Sequence, residues 1–116
     1  MAKLSRPKQN EMIEIEIQKW NKVFAKLSEE KKEAASDLIR RVAFMTITLG
    51  ILEEDIKIKG PTYKMKNGQQ EMFVENPSQK SYNTMINRYT VACDKLISLL
   101  PKDAGDPPKR DASGLT

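Results

Sequence analysis

The run from Glu33 to Gly60, with AASDLIRRVAFMTITLGILEEDIKIKG as its body, constrains this chain more than any other stretch. Apolar side chains recur at Ala35, Leu38, Val42, Met45, Leu49, Leu52 and Ile56, in alternating steps of three and four. That spacing keeps one stripe of a helix turned toward a partner along its whole length. About 26 residues at ~1.5 Å each give a rod of roughly 40 Å, longer than an ordinary domain helix. Between Val42 and Leu52 a second apolar face of Phe44, Ile47 and Ile51 adds to the first. A helix with two apolar faces needs cover on both. A chain of 116 residues offers only two other helices, so part of the cover is expected from further copies. The homo-oligomer interface is accordingly expected along Leu38, Val42, Met45, Leu49, Leu52 and Ile56. Tyr82, Tyr89 and Leu96 of the last helix are expected to share it.

Upstream, residues 1–10 carry Lys3, Arg6 and Lys8, one proline and little to bury, and read as a flexible basic arm. Such an arm attracts phosphate without reading sequence, and the same composition also suits an idle solvated terminus. Asn10 can cap the helix that follows, with Glu11 in its first turn. Ile13, Ile17, Trp20, Phe24 and Leu27 form its stripe. The alternation from Ile13 to Ile17 also suits a strand, but the stripe runs on to Leu27 and decides for helix. Trp20 is expected to anchor the core, with base stacking as the alternative should it be exposed. Ser28, Glu29 and Glu30 have the cap and first-turn acids of the central helix, and Gly60-Pro61 ends it. Arg40 and Arg41 lie just off the main stripe, so at least one faces outward, solvated, paired with an acid or touching phosphate.

Residues 62–74 read TYKMKNGQQEMFV. Asn67-Gly68 is the pair that a tight type I′ hairpin turn requires. A turn centred there sets Lys66 against Gln69, Lys64 against Glu71 and Tyr63 against Met72. Tyr63, Met65, Met72 and Val74 then share an apolar face, from which only Phe73 departs. A lone hairpin is marginal in water, so this face is expected to lie on the helices or on a neighbouring subunit. Asn76-Pro77 opens the last helix as cap and first helical residue. Its stripe is Tyr82, Met85, Tyr89, Ala92, Leu96 and Leu99, and Pro101 stops it. Residues 101–116 have the proline, glycine and mixed charge of a disordered tail. The fold expected is mainly α: three helices, the central one long, with a small β-hairpin between the second and third, in an oligomeric assembly. Residues 11–100 form its helical oligomerisation domain.

Histidine is absent, which removes the commonest general base and metal ligand. Cys93 is the single cysteine, so no internal disulfide, zinc or other soft-metal site is expected. Glu53, Glu54 and Asp55 are adjacent, and consecutive helical positions fan out by ~100° instead of converging on a metal. No phosphate-cradling glycine loop occurs. The expectation is therefore no enzyme, no catalytic residue and no cofactor, with binding or assembly as the task. Eleven apolar-rich residues from Val42 to Leu52 are too few to span a bilayer, no secretion signal is visible, and a cytoplasmic place with no membrane partner is expected. The net charge of +4 and pI near 9.2 permit a nucleic-acid contact without demanding one.

The order of elements carries a resemblance. A Trp20-containing helix precedes a long helix ending IKIKG, then come an NG hairpin, ENPSQKSYNTMINRY, and a break at LLPKDAGDP. Over residues 20–105 this resembles the bacteriophage terminase small subunits, the compact type of tailed phages that cut at fixed cos sites. Gly60, Asn76-Pro77 and Leu100-Pro101 are the matching positions. The chain departs from that pattern in lacking a separate upstream helix-turn-helix and the arginine that often follows Leu-Pro. The resemblance implies a ring in the host cell cytoplasm that engages double-stranded phage DNA and regulates a terminase large subunit holding ATPase and nuclease. The DNA contacts are expected at Lys3, Arg6 and Lys8 of the arm, with Lys80 and Arg88 of the last helix. A DNA-binding transcriptional regulator is the alternative, since the last helix begins with Ser78, Gln79, Lys80, Ser81 and Asn83. A non-enzymatic helical adaptor is another.

Overall fold

The computed structural model describes residues 4–101. Helix α1 spans Arg6–Val23, α2 Glu29–Lys59 and α3 Pro77–Ser98, and strands β1 (Thr62–Asn67) and β2 (Gln70–Glu75) form an antiparallel hairpin between α2 and α3. The expected mainly helical architecture and element order are therefore present. Lys3 and residues 102–116, with the expected tail, lie outside the described residues.

Local chemistry accounts for most boundaries. The Ser28 hydroxyl accepts from the Lys31 amide at 3.2 Å and opens α2, whose first turn carries Glu29 and Glu30 against the helix dipole. Gly60 closes α2 with φ +85°, a conformation open to glycine, and its amide donates to the Ile56 carbonyl at 2.7 Å. The Asn76 side-chain oxygen accepts from the Ser78 amide at 2.9 Å and opens α3, with Pro77 at the first position.

The first helix begins earlier than its charge pattern suggests. Ser5, not Asn10, is the cap, accepting from the Lys8 amide at 3.2 Å. Pro7 sits in the first turn, where a missing N–H costs nothing. Arg6 to Asn10 are thus helical, and Lys8 pairs with Glu11 at 2.9 Å. The flexible basic arm expected over residues 1–10 is corrected to that extent: Ser5 supplies a cap, and no apolar residue is needed to start a helix.

The hairpin register is also corrected. Asn67 pairs with Gln70, Lys66 with Glu71, Met65 with Met72, Lys64 with Phe73 and Tyr63 with Val74. Gly68 and Gln69 are the turn, with positive φ (+68°) at Gly68 and at no described residue other than glycine. This is the type II′ pattern, glycine at the first central position, in place of type I′ centred on Asn67-Gly68. The new register brings both Lys64 and Lys66 within ion-pair reach of Glu71, at 3.5 and 3.8 Å. The apolar face of Tyr63, Met65, Met72 and Val74 is retained, because period-two alternation survives a shift of the turn.

The core lies where all three helices meet. Phe24, Ala35, Ile39, Val42, Ala92 and Leu96 are buried together, with Trp20, Leu38, Met45 and Tyr89 packed against them. Trp20 stacks on Phe24 with ring centroids 6.0 Å apart, the anchoring role expected of it. Antiparallel packing of α3 on α2 is fixed by Tyr82 donating to Glu53 at 3.0 Å and by the Thr46 and Tyr89 hydroxyls 3.2 Å apart. This packing corrects the expected interface. Val42, Leu49 and Leu96 are buried within one chain, so the chain's own packing already covers them, and Leu38, Met45 and Tyr89 join or border that core. Leu52, Ile56 and Tyr82 remain partly exposed. The radius of gyration, 18.3 Å, exceeds the ~13 Å of a compact 100-residue domain, and the molecule is elongate. The hairpin rests on no helix as the helices rest on one another.

Candidate nucleic-acid interface

A groove of about 570 Å³ runs between the middle of α2 and the first half of α3. The exposed Arg41, Lys80 and Arg88 stand on its rim with the half-exposed Phe44, the partly buried Met45 and Met85 lie beneath, and Ser81 and Thr84 add hydroxyls. Because α3 runs antiparallel to α2, with Tyr89 beside Thr46, side chains from the middle of α2 and the first half of α3 line the groove together. On α3 the residues Lys80, Thr84 and Arg88 follow one another at steps of four, so they form one row along the helix with neighbours ~6 Å apart.

The rim cations have no carboxylate partner among the described residues. This sets them apart from neighbouring charges. Arg40, one residue from Arg41, is paired with Asp37, Lys57 with Glu54 and Lys59 with Asp55. Phe44 is 50% exposed, an aromatic ring open to the groove. Cations with hydroxyl donors suit phosphate oxygens, and an accessible ring suits an apolar or π-bearing group beside them.

Beyond the groove, the root of the hairpin is a polar knot. The Asn76 side chain is 1% exposed and donates to the Gly60 carbonyl at 3.0 Å, while the Asn76 amide donates to the Pro61 carbonyl at 2.8 Å. The Ser78 hydroxyl beside Asp55 holds that carboxyl below its usual range against some desolvation, helped by Asn76 and Lys59. The hydrogen bond to Glu53 raises the Tyr82 phenol, and burial raises that of Tyr89.

Of the expected DNA contacts, Lys80 and Arg88 meet in the groove. Arg6 and Lys8 sit on the first turn of α1 and do not line it, and Lys3 lies outside the described residues. Arg41 joins them from α2. The helical period says only that at least one of Arg40 and Arg41 faces outward, and the sharing of one groove by Arg41, Lys80 and Arg88 depends on how α3 docks, which no local pattern states. Among the described residues no three His, Cys, Asp or Glu side chains gather as metal ligands, and no helix is long and apolar enough to cross a membrane. Compared with family models, curated proteins and solved structures, the chain matches none.

Proposed function

We propose that the chain is a non-enzymatic subunit of a phage DNA-packaging machine, a terminase small subunit. It assembles with further copies into a ring in the host cytoplasm, engages double-stranded phage DNA and regulates a separate large subunit that cuts and translocates it. The observation that carries this reading is the groove lined by Arg41, Lys80 and Arg88, which have no carboxylate partners among the described residues. The element order described above supplies the biological setting. For assembly, support comes from the hairpin, whose Met65 and Met72 are 43% and 46% exposed on a two-stranded sheet that is marginal alone. Placed between subunits, that face gains the cover it lacks within the chain.

A ring multiplies weak contacts, since each copy presents the same three cations to one duplex. Binding to duplex DNA should therefore weaken steeply with salt, by ~0.9 in the log–log slope per phosphate neutralised. Replacing Arg41, Lys80 and Arg88 by glutamine should flatten that slope by roughly three per engaged subunit. A slope unchanged in the triple variant would move the contact to another surface. An absence of binding by the intact chain at low salt would leave the large subunit as its main partner. A plain dimer in solution would favour the transcriptional-regulator reading.

A further inference from the structure

We infer that the groove between α2 and α3 is a seat for single-stranded DNA, with Phe44 as a stacking platform under an unpaired base. The inference rests on the reading of this groove as a DNA contact and goes beyond it: the cations that serve a duplex are joined by a ring that only an unpaired strand can use. A duplex offers the protein its phosphates and sugars and keeps its base faces stacked inside. Against a duplex the cations of the rim would be served, but the half-exposed Phe44 ring beside them would meet no base face. A single strand offers both. Its phosphates suit Arg41, Lys80 and Arg88, and its unstacked bases suit a ring that is already half exposed.

The layout matches this division. The α3 row of Lys80, Thr84 and Arg88 lies along one rim, with donors at helical steps of ~6 Å that can follow a backbone. Arg41 stands one turn before Phe44 on α2, so a cation and a ring from the same helix face address one nucleotide, the phosphate and the base respectively. Stacking of this kind is tolerant of sequence, because every base has a π-face. An acidic amphipathic protein segment would present the same charge, and the test below separates it.

The experiment measures fluorescence anisotropy of a labelled oligothymidylate of about 12 nucleotides and of a duplex of equal length, at low salt, with the full chain. The intact protein should bind the single strand more tightly than the duplex. Phe44→Leu, which keeps apolar bulk and removes the ring, should weaken single-strand binding about tenfold and leave duplex binding unchanged. Arg88→Gln should weaken both. Thermal melting of both variants should match the parent, since each side chain is on the surface. Equal affinity for strand and duplex, or single-strand binding indifferent to Phe44→Leu, overturns the inference; sensitivity of duplex binding to Arg88→Gln would then leave the broader DNA reading standing. Binding to neither nucleic acid overturns both and assigns the groove to an acidic protein segment.

Discussion

Replacing Asn76 tests how the hairpin and last helix are held to the central helix. Its side chain does two tasks from a buried position: it caps α3 through the Ser78 amide and satisfies the Gly60 carbonyl. Asn76→Ala removes a cap, at about 1 kcal/mol. It also leaves the carbonyl at the end of α2 without its donor, which costs about 1–3 kcal/mol where water cannot replace it. The sum, about 2–4 kcal/mol, corresponds to a fall in melting midpoint on the order of 10 °C or more for a domain of this size. Asn76→Ser keeps a capping oxygen but is too short for Gly60, so it should fall between the parent and alanine. Asn76→Asp keeps the cap yet sets a buried carboxylate against the Gly60 carbonyl and near Asp55. Circular dichroism melts of the three variants across pH provide the assay. An alanine variant within ~0.5 kcal/mol of the parent would refute the reasoning, as surface substitutions fall in that range.

At the turn, Gly68→Val should cost about 1–2 kcal/mol, because a β-branched residue at φ +68° is strained. Amide exchange over Thr62–Glu75 should speed up, and unchanged protection would misplace the turn. Leu49→Asp should unfold the single chain, with loss of several kcal/mol, because a lone charge would enter its core. A folded monomer of that variant would show instead that Leu49 serves assembly. Asp55 has its folded pKa below the unfolded one, so its contribution is present above the unfolded value and lost as pH falls through the folded value. The stability difference between the parent and Asp55→Asn should therefore hold at neutral pH and shrink as pH falls below the ordinary aspartate range; a difference independent of pH would remove Asp55 from the knot at the hairpin root.

Legibility in the sequence followed the range of the interactions. Ser28, Gly60-Pro61 and Asn76-Pro77 mark their boundaries because capping is decided within three or four residues. Ser5 is harder to read as a cap, since the charges of Arg6 and Lys8 match those of a solvated arm, although Pro7 fits a first helical turn. The hairpin was visible in Asn67-Gly68, but the choice between two adjacent turns depends on pairing across strands, where Met65 with Met72 and Glu71 with two lysines prevail. Helical period identified Val42 and Leu96 as apolar positions needing cover. It could not say that α1 and α3 provide enough of it within one chain, because Ile39 and Ala43, off the chosen stripe, carry part of the packing. Lys80 and Arg88 were readable as outward charges. Their convergence with Arg41 over Phe44 arises from the docking of two helices far apart in sequence.

Native mass spectrometry of the full chain at micromolar concentration, with and without DNA, bears most directly on the claim that this is a self-assembling DNA-engaging subunit. The account predicts one closed species of several copies that retains DNA at low salt and releases it as salt rises. A folded monomer that carries no DNA would contradict it.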